Sequence, residues 1–128
     1  MKTLPANTLR TVILDDNQTF RKFLARFSFI WVVAEAETGE EALETVELCL
    51  PDLVIVDIHL PGIDGFDFAR LVKTISPKMD KTNVIFTSID TNPAFYHEAE
   101  RLNCRFISKE SLLDELPAVL GRIKSEDN

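Results

Sequence analysis

This sequence lacks an excess of basic residues, and those present are scattered. The 128 residues include 14 Lys or Arg and 21 Asp or Glu, which gives a net charge of -7 at pH 7. Proteins that bind the phosphate backbone of nucleic acids carry clustered Lys and Arg side chains. The composition therefore argues against direct nucleic-acid binding by this chain, and any DNA contact would belong to another module.

Long apolar runs and paired cysteines are also missing. No run approaches the roughly 18 apolar residues that a membrane span needs, and the start MKTLPANTLR lacks the apolar core of a signal peptide. Cys49 and Cys104 are far apart, without the CxxC spacing of a metal or redox site. We expect a cytoplasmic protein with no membrane partner. Because no linker or low-complexity stretch divides it, we expect a single domain over residues 1–128.

Two patterns alternate along the chain. Short apolar runs rich in Val and Ile are followed by segments of helical period, which is typical of a parallel sheet with crossover helices. We predict an α/β fold with a doubly wound five-stranded parallel sheet and helices on both faces. The predicted strands are TVILD, VVAEAE, LVIVD, NVIFTS and RFISK. Alternating charge in the second strand predicts that it lies at an edge of the sheet.

Capping residues mark the starts of the predicted helices. Asn17, Thr38 and Asn92 each precede a segment of helical period and can accept hydrogen bonds from its first turn. The third helix is predicted to begin near Asp64 and to end before Pro77. The residues of this helix expected to lie mostly on its core side are Phe66, Ala69, Leu71, Val72 and Ile75.

Pro117 sets the expected start of the last helix. Proline disrupts the interior of a helix but is tolerated in the first turn. We therefore predict a helix whose first turn is near Asp114 and which runs to about Lys124.

Four of the predicted strands end in polar residues. Asp15 ends the first strand and Asp16 follows it, Asp57 ends the third, Thr87 lies at the end of the fourth, and Lys109 ends the fifth. In an open parallel sheet, the ligand crevice lies outside the carboxyl ends of the strands. We therefore expect these side chains to meet at one site.

The acidic residues at this edge predict a cation site. Three neighbouring carboxylates repel one another, and each has a raised pKa unless a cation lies among them. Oxygen ligands suit a hard divalent ion, and Mg2+ is the usual choice where phosphate oxygens complete the coordination. Lys109 adds a compact positive charge.

With these residues, the chain resembles a receiver domain of a two-component response regulator, in the CheY-like superfamily. The acidic pair Asp15 and Asp16, the segment VDIHLPGIDG and the strand ends FTS and FISKE match the family pattern in order and spacing. The resemblance extends from about Arg10 to Ile123. It implies a flavodoxin-like sheet with strand order 2-1-3-4-5.

The resemblance also implies a function for the site. Asp57 would accept a phosphoryl group from a phosphohistidine of a histidine kinase or phosphotransfer protein. Mg2+ would be bound by Asp16, Asp57 and the backbone carbonyl of His59, with Asp15 supporting it through water. The domain would thus phosphorylate itself and slowly lose the phosphoryl group, rather than turn over a substrate like a conventional enzyme.

Thr87 and Lys109 would contact the phosphoryl oxygens, and Thr87 with Phe106 would form the switch. Movement of these two residues would change the face formed by the fourth helix, fifth strand and fifth helix. The implied partners are an effector or output domain of unknown identity and a second copy of the chain. Two residues depart from the family pattern: Ser88 where alanine is frequent, and Glu110 where many relatives have proline. Glu110 argues against a cis peptide bond after Lys109, because a cis bond before a residue other than proline costs about 2.5–4 kcal/mol.

Three other interpretations compete with the switch. A phosphatase of the haloacid dehalogenase type also uses an aspartate nucleophile, but it needs a second acid where this chain has His59. A flavin-binding electron carrier shares the topology, but three acids would lie at its flavin phosphate. A receiver-like domain used only for protein interaction would not need the set Asp16, Asp57, Thr87 and Lys109. Turnover of small phosphate esters separates the phosphatase from the switch.

Overall fold

The computed structural model describes residues 8–75 and 81–126. Strands and helices alternate along them, as predicted. They are β1 (Leu9–Leu14), α1 (Gln18–Leu24), β2 (Ile30–Ala36), α2 (Gly39–Cys49), β3 (Leu53–Asp57), α3 (Gly65–Ile75), β4 (Asn83–Ser88), α4 (Pro93–Arg101), β5 (Arg105–Ser108) and α5 (Leu112–Glu126). A single 3-10 turn, Lys109–Ser111, connects β5 to α5.

The strands form one parallel sheet in the order β2-β1-β3-β4-β5. This order confirms the predicted doubly wound sheet, and β2 lies at the edge as expected. The order reverses between β1 and β3, because the chain first adds β2 on one side of β1 and then adds the remaining strands on the other. The ends of β1 and β3 are therefore adjacent at the point where an open α/β sheet binds its ligand.

Two apolar layers cover the sheet, and β3 contributes to both. Leu53 and Ile55 pack with α1 and α5, whereas Val54 and Val56 pack with α2, α3 and α4. All five residues of β3 are buried. This double burial explains why the strand is apolar throughout instead of alternating with polar residues.

The predicted capping residues begin three of the helices. The side chains of Asn17, Thr38 and Asn92 accept hydrogen bonds from the main-chain N–H groups of Phe20, Glu41 and Ala94. Each bond satisfies a donor that has no partner within the helix. Pro93 follows Asn92 at the first position of α4, where its missing N–H costs nothing.

As predicted, Asp114 lies in the first turn of the last helix, but Pro117 lies in the helix interior rather than near its start. α5 begins at Leu112 and contains Pro117 in its interior. The proline removes the hydrogen bond to the carbonyl group of Leu113, whose residue is 67 % exposed, so water can hydrate that carbonyl group. Leu112, Leu116 and Leu120 are buried against the sheet and stabilise the turns on either side of the proline.

The predicted core face of α3 was wrong at one position and incomplete at another. Leu71 is 41 % exposed, whereas Phe68 is fully buried with Ala69 and Val72. The buried positions 65, 66, 68, 69 and 72 cover the core face and one flank of the helix, and Leu71 lies on the opposite flank. The Ile75 side chain and Pro77 lie outside the described residues.

Within residues 8–75 and 81–126, no helix is long and apolar enough to cross a membrane.

The corrected face of α3 predicts unequal effects of two alanine substitutions. Phe68→Ala should lower the free energy of unfolding by about 3–5 kcal/mol, because it leaves a cavity in the core. Leu71→Ala, one helical turn away on the exposed side, should change it by less than about 1 kcal/mol. Urea denaturation measures both, and equal losses would contradict the assignment of the two side chains.

Candidate functional site

The predicted polar strand ends meet at the carboxyl edge of the sheet. Asp15 follows β1, Asp57 is the last residue of β3, and Lys109 follows β5. Thr87 in β4 pairs directly with Asp57 in the parallel register. The strand order therefore brings together residues that are up to 94 positions apart in sequence, from Asp15 to Lys109.

Three carboxylates lie close together in this site. Asp15, Asp16 and Asp57 each offer one oxygen, and these oxygens all lie within 4.8 Å of one another. Asp15 is 1 % exposed and Asp57 is also buried, whereas Asp16 is exposed to solvent. Two buried carboxylates and an accessible third form a donor set that fits a hard divalent cation such as Mg2+.

Lys109 is the basic side chain that contacts this cluster. Its Nζ lies 2.8 Å from Oδ2 of Asp15 and 3.1 Å from Oδ2 of Asp57. The ring of Phe20, from α1, covers the ammonium group with its centroid 4.2 Å away. Burial by itself lowers the pKa of Lys109, but the hydrogen bonds and charges of Asp15 and Asp57 outweigh burial and raise that pKa. The lysine is therefore charged at neutral pH.

The environment of Asp15 opposes its ionisation. Burial raises the pKa of Asp15, and the nearby charge of Asp57 raises it further. The ion pair with Lys109 and a hydrogen bond from the main-chain N–H of Asn17 lower the pKa but do not compensate fully. The negative charge of ionised Asp15 is therefore only partly compensated by its neighbours.

The loop after β3 holds the carboxylate of Asp57 by its main chain. The N–H of His59 donates a hydrogen bond of 2.9 Å to Oδ1 of Asp57. Gly62 has φ +80, a conformation that favours glycine. A Cβ on Gly65 would lie 2.6 Å from the carbonyl oxygen of Asp57, so glycine is required where α3 begins.

Thr87 presents a polar atom that none of the described residues satisfies. Its Oγ1 is buried and has no hydrogen-bond partner within the described part of the chain. A buried hydroxyl without a partner costs about 1–3 kcal/mol. Because Thr87 pairs with Asp57 across the sheet, a ligand at Asp57 could accept this hydrogen bond.

The side chain of His59 lies outside the carboxylate cluster. It is 60 % exposed, with Nε2 3.9 Å from Oδ2 of Asp90 and its ring packed edge-on against Phe95. The predicted metal contact uses the His59 backbone carbonyl, and that contact stays a prediction.

Phe106 lies on β5, beneath α4. It is buried and packs against Tyr96, with ring centroids 4.6 Å apart, and against Phe95 at 5.9 Å. Phe95 also contacts Phe66 at 6.0 Å. The predicted switch residue is thus part of an aromatic cluster that reaches the loop after β3.

No cis peptide bond occurs among the described residues, so the bond between Lys109 and Glu110 is trans.

The sequence-based prediction missed two residues of α1 that contact the site. Phe20 was not identified as a site residue, yet its ring covers the ammonium group of Lys109. Arg21 was not identified, although its guanidinium donates a hydrogen bond of 2.7 Å to the carbonyl oxygen of Asp15. A basic residue one turn after the helix cap, on a face otherwise lined with Phe and Leu, was the available signal.

Comparisons with known proteins agree on one family. The family model described as response regulator receiver domain matches residues 11–120. The transcriptional regulatory protein NarL of Mycobacterium tuberculosis is 32% identical over 125 residues, which cover 93% of this chain and 56% of that protein. This chain therefore spans about half the length of that curated relative.

Solved structures give the same result. The receiver domain of NarL from Mycobacterium tuberculosis is 32% identical, with a TM-score of 0.78 over 92% of this chain and 98% of that chain. The REC domain of AraT from Geobacillus stearothermophilus is 26% identical, with a TM-score of 0.80 over 93% of this chain and 95% of that chain. The chain belongs to the receiver-domain family of two-component response regulators, and the flavodoxin-like fold is confirmed.

The raised pKa of Asp15 predicts how stability depends on pH when no divalent ion is present. The folded protein binds the Asp15 proton more tightly than the unfolded chain, so ionised Asp15 destabilises the fold once pH rises above the folded-state pKa. Asp15→Asn should therefore raise the urea midpoint at pH 7. This gain should shrink as pH falls through the raised pKa.

Asp114→Asn is the matched control, because Asp114 is exposed in the first turn of α5, and its urea midpoint should stay close to that of the wild type. A lower midpoint for Asp15→Asn at pH 7 would mean that the ion pair with Lys109 outweighs the cost of burial, contrary to the prediction.

Proposed function

We propose that this chain is a phosphorylation-dependent switch. Asp57 accepts a phosphoryl group from a phosphohistidine of a histidine kinase or phosphotransfer protein in the presence of Mg2+. The supporting observation is the position of Lys109, whose Nζ lies between Asp15 and Asp57 at 2.8 and 3.1 Å. A fixed cation at this point can neutralise the charge that a phosphoryl group brings to Asp57.

Asp57 is the nucleophile in this proposal. One of its oxygens attacks phosphorus, an O–P bond forms, the N–P bond of the donor breaks, and its electron pair stays on the imidazole nitrogen. The N–H of His59 orients the carboxylate through its bond to Oδ1. Phosphoryl transfer depends mainly on alignment and charge stabilisation, so this site needs no further nucleophile.

Two side chains bind the phosphoryl oxygens. Lys109 is held charged by its raised pKa and exchanges its contact with Asp57 for one with a phosphoryl oxygen. Thr87 donates its unpartnered hydroxyl to another. Asp16, Asp57 and the carbonyl group of His59 would hold Mg2+, with Asp15 supporting it through water, and the ion would supply further positive charge to the phosphoryl group.

The switch resets by hydrolysis. Water attacks phosphorus, the O–P bond to Asp57 breaks, and inorganic phosphate leaves while the carboxylate is restored. A haloacid dehalogenase-type phosphatase would need an acid at position 59, but the residue there is His59, whose side chain lies beside Asp90 and Phe95. Self-phosphorylation followed by slow autodephosphorylation therefore fits the site better than turnover of phosphate esters.

The output surface in this proposal is the face formed by α4, β5 and α5. When Thr87 binds the phosphoryl group, it vacates space beneath α4, and Phe106 changes its packing. The changed face binds an effector or a second copy of the chain. NarL is a transcriptional regulator longer than this chain, and we assign any DNA contact to an output module rather than to this acidic domain in the cytoplasm.

Phosphorylation of Asp57 is tested by intact mass. After incubation with a small acyl phosphate and Mg2+, the mass should rise by one phosphoryl group, because Asp57 is the only nucleophile that this proposal assigns. Chelation of Mg2+ should abolish the increase, since carboxylate repulsion then opposes the binding of phosphate.

Asp57→Asn should remain unmodified, and Asp114→Asn, which makes the same chemical change on the exposed side of α5, should be modified like the wild type. An unchanged wild-type mass, or equal modification of Asp57→Asn, would refute the proposed function.

The output face is tested by hydrogen exchange with and without a phosphoryl mimic. Protection should change around residues 88–94 and 105–109, because Phe106 in the second segment packs against Phe95 and Tyr96, which directly follow the first. Thr87→Val lacks the hydroxyl that links the site to this face, so its response there should be lost. A wild-type response confined to the loop after Asp57 would contradict this coupling.

A further inference from the structure

Arg21 is a buried charge with three different partners. It lies on α1 and is 8 % exposed. Nε lies 3.2 Å from Oε1 of Glu35, and Nη2 lies 3.5 Å from Oε1 of Glu37, both on or just after the edge strand β2. Nη1 donates its 2.7 Å hydrogen bond to the main-chain carbonyl oxygen of Asp15. The planar guanidinium can contact all three partners at once because its N–H donors point in fixed, different directions.

The carbonyl that Arg21 holds belongs to the peptide group between the two acidic residues of the site. Other contacts already fix Asp15: its N–H donates to Ala36 at 3.1 Å, and its Oδ1 accepts from the N–H of Asn17 at 2.8 Å. The orientation of the next peptide plane decides where the Asp16 carboxylate lies. Among the described residues, none forms a hydrogen bond or ion pair with the Asp16 side chain.

We propose that Arg21 is a positioning residue for the cation site. By fixing the Asp15–Asp16 peptide group, it keeps the Asp16 carboxylate within 4.8 Å of those of Asp15 and Asp57. Glu35 and Glu37 hold the guanidinium in place and compensate its charge. The inference rests on the proposed function, because it assumes that these carboxylates bind a divalent cation.

Positioning and charge predict opposite effects when Arg21 is changed. If only its charge mattered, removing a positive group near three carboxylates would tighten cation binding, and replacing it with another cation would change nothing. If position matters, both substitutions loosen binding, because neither lysine nor glutamine can hold the carbonyl of Asp15 together with both glutamates.

The experiment measures Mn2+ binding to the unphosphorylated protein by electron paramagnetic resonance of free Mn2+. Arg21→Gln should raise the Kd about tenfold, as expected when a group that orients metal ligands is lost, and Arg21→Lys should raise it several-fold. Lys22→Gln is the matched control, because Lys22 is the next residue on α1 and is exposed, and it should leave the Kd within about twofold of the wild type or slightly lower it.

A second readout reports on the peptide group itself. The amide nitrogen of Asp16 shares this group with the Asp15 carbonyl, so its 15N chemical shift should change in Arg21→Lys and Arg21→Gln but not in Lys22→Gln. If Arg21→Gln does not fold, Arg21→Lys, which keeps the buried charge, carries the test alone.

The possible outcomes separate this inference from the proposed function. An Arg21→Lys protein with wild-type Mn2+ affinity, or an Arg21→Gln protein that binds Mn2+ more tightly, overturns the positioning role while leaving the switch intact. Lower stability with unchanged affinity would mean a purely structural role and also overturns it. A wild-type protein that binds no Mn2+ overturns both the cation site and the role of Arg21.

Discussion

The burial of two neighbouring carboxylates, Asp15 and Asp57, is the constraint on which the site depends. Ionised groups in a low-dielectric interior are costly unless they are paired, and like charges make the cost larger. One ammonium group, that of Lys109, contacts both carboxylates, and it cannot neutralise two negative charges. The site is therefore left with a net negative charge that favours binding of a cation.

The strand order explains why this arrangement forms. Because β1 and β3 are neighbours, Asp15 and Asp57 must meet, and because β5 lies two strands from β3, only a long side chain such as Lys109 reaches them. Phe20 excludes water from one side of the ammonium group, which strengthens its interactions with the carboxylates. The edge strand β2 takes part as well, since Glu35 forms an ion pair with the arginine of α1 that bonds to Asp15.

Sequence patterns predicted the sheet and the convergence of residues at its edge, because strand ends are local features and parallel strands share one direction. They failed where a residue's environment depends on distant elements. The burial of Arg21 cannot be seen in a pattern of apolar residues, since its partners come from β2 and from the end of β1.

Leu71 was misplaced because several faces of α3 are apolar, and only packing against the sheet selects one. The interior position of Pro117 in α5 was missed because buried leucines on either side of the proline compensate its effect.

In the proposed switch, the aromatic cluster around Phe95 would determine how far a change at the site can spread. Phe95 contacts His59 on one side and Phe106 on the other, with ring centroids 5.6 and 5.9 Å apart. Packed rings of this kind do not deform continuously, so a displacement of one requires another arrangement of its neighbours. Phe106 has no hydroxyl group with which to gain a hydrogen bond in an exposed position, and its preference is therefore decided by burial against Tyr96. In the proposed switch, the balance between two arrangements of Phe106 would depend on how α4 packs, and α4 would couple the site to the outer surface.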